Sequence, residues 1–214
     1  MTDNRKSGWA LIVGAAAGIV TMALHPTAHD FAAPGQFDAV AQLNVAVHTL
    51  AMLSVPVSFL GAIGLYRLVE RPSRLGLSGL VLYGFASVAV VNAAAFSGLV
   101  APAALRQAAA ASGSEADIWN AAVHLTGTLN QAFARIFVVA SSAAILLWSI
   151  AMLRPPKLAP MLGAYGVLIG PLTALAVLSG HVRLNVHGFG MIVLAQSVWF
   201  FVAAALLWRT PDPH

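Results

Sequence analysis

The chain has no cysteine. That excludes disulfides, thiolate metal sites and cysteine nucleophiles. Charge is scarce too. Lys, Arg, Asp and Glu together make up 8% of the 214 residues, where a soluble domain carries about a quarter. No Asp or Glu falls inside any long apolar run, so the usual carriers of protons or cations through a membrane midplane are missing. Nor is there a phosphate-binding P-loop, a Gly-x-Gly-x-x-Gly after a strand, a His-Glu-x-x-His or a Gly-x-Ser-x-Gly elbow. The basic residues are scattered and make no patch with stacking aromatics, so the net charge of +4 is no nucleic-acid signal.

What is abundant is apolar sequence, 59% of the chain. A hydrocarbon core about 30 Å thick needs roughly 20 helical residues to cross it. Runs of that length recur, continuous rather than alternating, which excludes barrel strands. They predict an all-α integral membrane protein of six transmembrane helices in one domain, at about 9–25, 41–66, 75–101, 118–153, 158–180 and 188–208. The lipid bilayer is the expected partner, with another membrane protein or a second copy of the chain as further possibilities. The fourth apolar run starts only at Asn130. Ser114-x-x-Asp117 reads as a capped helix start, so that helix is expected to project outward or bend, at Gly127 for example. Residues 102–117 then form the only sizeable loop.

Basic residues set the orientation. Arg5 and Lys6 precede the first run, Arg67, Arg71 and Arg74 follow the second, Arg154 and Lys157 follow the fourth, and Arg209 follows the sixth. All fall on one side, cytoplasmic by the positive-inside rule. The other side holds Asp30, Asp38, Arg106, Glu115, Asp117 and Arg183. Both termini are therefore expected in the cytoplasm, and the protein in a cell inner membrane. The first run is too long for a signal-peptide core and lacks a good small-residue cleavage pattern, so it reads as a retained helix.

Several segments echo one another. Asn44-Val-Ala-Val-His48 resembles Asn120-Ala-Ala-Val-His124, and Leu184-Asn185-Val186-His187 resembles Leu43-Asn44-Val45. Tyr83-Gly84 precedes Ser97-Gly98 at the separation by which Tyr165-Gly166 precedes Ser179-Gly180. The pattern suggests repeated helical hairpins around a shared outward-facing centre. Gly14-Ala-Ala-Ala-Gly18 is a close-packing face, and Pro56 and Pro171 each remove a bond inside a helix.

The histidines carry the functional expectation. His25, His29, His48, His124, His181 and His187 all fall on the outer side. Counted from the inner basic residues, His25 and His48 both lie 19 residues away, roughly 28 Å of helix. His187 and His181 lie at about 33 and 36 Å, and His124 at about 45 Å. Asn120, His124, Gln131 and Arg135 share one helix face, which in lipid should turn inward.

Three readings follow. One is a transition-metal site with His48 and His187 as core ligands and His25, His29, Asp30, His124 and His181 as further candidates, taking copper or zinc. Met22, Met52 and Met191 each lie one turn below a histidine, and a thioether beside imidazole favours the cuprous ion. Zinc with three ligands and an open position could hydrolyse a lipid or amide. The second is a single b-type haem between His48 and His124, making an electron-transfer subunit. The third is a non-enzymatic transport or accessory subunit with an outward-facing cavity.

Overall fold

The structure is a computed structural model that describes residues 3–27, 30–31, 35–69, 74–154 and 159–211. His29, Arg71 and Lys157 lie outside the described residues. The described chain is helical and contains no strand. α1 spans Asp3–Leu24, α2 Phe37–Val69 and α3 Leu75–Ala95. A π-helical turn, Phe96–Val100, joins α3 to α4, Ala101–Ala110. α5 spans Ser114–Leu153, α6 Pro160–Leu178 and α7 Val186–Arg209. Counting α3 to α4 as one, six helices are long and apolar enough to cross a membrane.

Two expectations about the 102–117 region are corrected. It is not a loop. The helix runs through the π-turn to Ala110, and only Ala111–Gly113 connects it to α5. A regular helix would clash with Pro102 at the carbonyl four residues earlier. The π-turn widens the ladder, so Ala101 N–H bonds back to Phe96 O, five residues before it. Alanines with high helix propensity then carry the helix onward. The Ser114 cap is also absent. α5 starts at Ser114 itself, with Gly113 at the cap position in the left-handed region, φ +58°, and no side-chain cap. α5 then runs unbroken through Gly127 for 40 residues, about 60 Å.

The helices form a ring. α1 packs on α2 and α7, α3 on α2 and α5, and α5 on α6, while α6 touches α7 only lightly. Glycine permits the α1–α2 approach. A Cβ on Gly14 would overlap the Ser58 side chain, and one on Gly61 would overlap Leu11. The expected close-packing face on α1 is therefore used, against α2.

The half of the bundle near the basic residues is filled. Leu11, Leu65, Ile145, Trp148, Met152, Trp199 and Leu207 are all at most 1% exposed. Trp148 and Trp199 stack with centroids 5.9 Å apart. Both indoles are satisfied: Trp148 Nε1 donates to Gly76 O and Trp199 Nε1 to Ser149 Oγ. Large apolar side chains such as Leu53, Leu60, Phe85, Val88 and Leu168 face outward, as lipid contact requires.

Candidate functional site

The π-turn organises the opposite half. In π register the carbonyl of Ser97 would accept from the N–H of residue 102, but residue 102 is proline and has none. Asn44 of α2 supplies the donor instead, its Nδ2 reaching Ser97 O at 2.8 Å. Asn44 is 3% exposed, and the bond it makes is partly buried at the cavity wall. One turn on, His48 packs its Cβ and ring against Gly98, where any Cβ would overlap it. His48 Nδ1 lies 2.7 Å from Asn44 O. A carbonyl only accepts, so Nδ1 carries the proton and the neutral ring keeps its lone pair on Nε2.

His25 meets His48 from the end of α1. The ring centroids are 4.8 Å apart at an interplanar angle of 71°. His25 Nδ1 lies 2.7 Å from Pro26 O, so it too donates to a carbonyl. α1 stops at Leu24, and Pro26 keeps His25 out of helical geometry. The turn beyond is held by Asp30, whose Oδ2 accepts from Thr27 N at 2.6 Å and Thr27 Oγ1 at 2.8 Å. Asp30, expected as a ligand or orienting group, is thus engaged with Thr27.

Both imidazoles line a cavity of about 300 Å³. Its wall includes Met22, Ser97, Asn130, Gln131 and Asn185. Gln131 Nε2 donates to Leu184 O, tying α5 to the segment before α7, and Asn185 Oδ1 caps α7 at Gly188 N. Below lies a smaller chamber of about 120 Å³ that shares Thr21, Met22, Ala51, Val90 and Phe189 with the first. Its wall adds Ser58, Tyr83, Gln196 and Ser197. Gln196 Nε2 donates to Ser142 Oγ, which pairs with Thr173 Oγ1 at 2.8 Å. No charged side chain lines either chamber. The filled half with the Trp148–Trp199 stack lies beneath.

The other expected residues lie elsewhere. His187 is exposed and shares a shallow recess with His25, Met22 and Thr27. His181 is exposed and pairs with Ser179 Oγ at 2.8 Å. His124, Asn120 and Arg135 are exposed on α5, so the expected inward stripe keeps only Gln131. α5 reaches the cavity at Asn130, Gln131 and Ala134, and His124 is not in its wall. His48 and His124, the expected haem pair, therefore do not share the cavity. Of the three methionines, Met22 lines the cavity while Met191 is 63% exposed. Among the described residues, no three His, Asp or Glu side chains gather as a metal-ligand group.

Sequence reasoning missed the lower chamber, with Tyr83 and Gln196, and the role of Pro102. Their signal was weak: single polar residues inside apolar runs, and a proline at a run's end.

No protein-family model matches the chain, and no curated protein or solved structure is significantly similar to it.

Proposed function

We propose that this polytopic membrane protein binds a soft transition-metal ion, cuprous copper by the chemistry of its donors, at the outer face of a cell inner membrane. His25 and His48 are the core ligands and Met22 supplies the third. The observation that carries this reading is the His25–His48 pair, 4.8 Å apart in one cavity, each with Nδ1 held by a carbonyl. Holding one ring nitrogen is how proteins orient a ligating histidine.

The spacing fits. A metal–nitrogen bond of about 2.0 Å and a tetrahedral angle put two ring centres about 5 Å apart. The third donor selects the metal. No carboxylate or third histidine joins the pair among the described residues, and a thioether suits Cu(I) better than zinc. We read the termini as cytoplasmic on the distribution of basic residues. The filled inner half supports a binding protein with a cavity open to one side, not a through-path.

The test is copper retention by detergent-purified protein in competition with a chromophoric Cu(I) chelator. About one equivalent is expected, with His25→Gln, His48→Gln and Met22→Leu each weakening retention at least roughly tenfold. Equal retention by the double histidine variant and the parent would overturn the reading. A Soret band in the optical spectrum would replace it with haem.

A further inference from the structure

The lower chamber has polar tips, aromatic walls and two wall residues in common with a groove on the outside of the bundle. Tyr83, Phe137, Phe189 and Phe200 surround it. Two of its wall residues, Val55 and Ser87, are also wall residues of a groove on the outside of the bundle between α2 and α3. That groove is bounded by side chains such as Phe59, Phe85 and Val88, and the last two are 65% and 64% exposed. In a bilayer it faces acyl chains.

We propose that the lower chamber is a second binding site, for a neutral lipid with an oxygenated ring as its head and an apolar tail, which enters from the bilayer through the α2–α3 groove. The proposal does not need the metal reading. Four features select this ligand.

The first is size. A chamber of about 120 Å³ is close to the cavity of about 150 Å³ that binds benzene in an engineered protein, so a single ring fits it. The second is charge. No fixed charge lines the chamber or the groove, and a charged head would be stranded at that depth. The third is the polar complement. Tyr83, Ser58 and Gln196 put two hydroxyls, hydrogen-bonded to each other, and an amide on the chamber wall, a set whose remaining donor and acceptor capacity can meet ring oxygens. Gln196 is held in place through its Nε2 bond to Ser142.

The fourth is the way in. Pro56 borders the groove and cannot donate to the carbonyl four residues earlier, which weakens α2 beside the opening. Gly84 also borders it, where an added Cβ would meet only Phe59, at ordinary contact distance. Space therefore exists on the α3 side. Ser87 turns its hydroxyl back to Tyr83 O at 2.8 Å, so it offers a small, already satisfied side chain at the junction.

The probe is a tritiated benzoquinone with a ten-carbon tail, bound to the full chain in phosphatidylcholine nanodiscs, with empty nanodiscs subtracted. Saturable binding near one per chain is expected. Tyr83→Phe combined with Gln196→Leu should weaken it at least tenfold. Ser87→Trp should slow association at least tenfold by filling the junction, and Gly84→Leu gives the same test from the groove side if Ser87→Trp does not fold. His25→Gln with His48→Gln should leave the affinity unchanged, which separates this proposal from the copper site. Non-saturable uptake that tracks lipid content would overturn it. So would saturable binding that ignores either the wall pair or the entry variants.

Discussion

Asn44, Ser97 and Pro102 make a three-part device whose energetics can be measured. Asn44→Ala removes the only donor shown for Ser97 O, because the proline at 102 has no N–H to offer. A fully buried carbonyl left without a partner costs about 1–3 kcal/mol, an upper bound for Ser97, which lines the cavity. Interhelical hydrogen bonds measured in membranes run lower, averaging about 0.6 and reaching about 1.7 kcal/mol. The expected loss is therefore about 1–2 kcal/mol. Pro102→Ala alone should change stability by less than about 1 kcal/mol, since proline sits in a first helical turn where its missing N–H is tolerated. Alanine at 102 restores an N–H within reach of Ser97 O in π register. In that background Asn44→Ala should cost about 0.5 kcal/mol or less, a coupling of about 1 kcal/mol between two residues on different helices. Reversible unfolding of the four proteins by SDS titration in mixed micelles gives the cycle. Equal costs of Asn44→Ala in both backgrounds would refute the assignment of the Ser97 carbonyl to Asn44.

Gly98→Ala and Gly127→Ala are the same substitution with opposite expected signs. The first drives a methyl into His48 and should cost about 1–3 kcal/mol, read as a lower melting temperature together with weaker Cu(I) retention. The second meets nothing within 4 Å and should stabilise α5 by roughly 0.5–1 kcal/mol; a lower melting temperature there would contradict the exposed placement of Gly127. Arg106 and Asp38 form an ion pair at 3.2 Å with side chains 52% and 79% exposed, so Arg106→Ala should cost under about 1 kcal/mol, checked in the same SDS titration. Because the chain has no cysteine, Ser112→Cys and Thr210→Cys can be labelled one at a time in intact cells. A membrane-impermeant maleimide should reach residue 112 and not residue 210, and the reverse pattern would invert the topology.

The common level of His25 and His48 along their helices was legible in the sequence; rotation about each helix axis was not. Counting from the basic residues put His25 and His48 at one level, and their rings do meet. The same count put Arg135 at that level on α5, where it points outward. The difference lies in packing. His48 is turned inward by its fit against Gly98 and its bond to Asn44 O. The similar Asn120-x-x-x-His124 segment stands near the start of α5, and both its polar residues are exposed. Local spelling alone could not tell those two settings apart. The helical course of residues 102–110 was hidden for another reason. Proline at a run's end normally marks a stop, and here a π-turn stabilised from a second helix carries the chain past it.

The filled half of the bundle has an electrical meaning. Moving one charge across the whole membrane is worth about 2.3 kcal/mol per 100 mV. His25 and His48 lie about 28 Å along the helices from the basic end, near one surface of a core about 30 Å thick. An ion reaching them from that surface crosses roughly a tenth of the field, about 0.2 kcal/mol per 100 mV. The Trp148–Trp199 stack lies within the remaining thickness. Under the proposed copper reading, occupancy of the histidine pair would be set by the composition of one compartment and be nearly indifferent to voltage, so a de-energised cell should load the site as well as a respiring one.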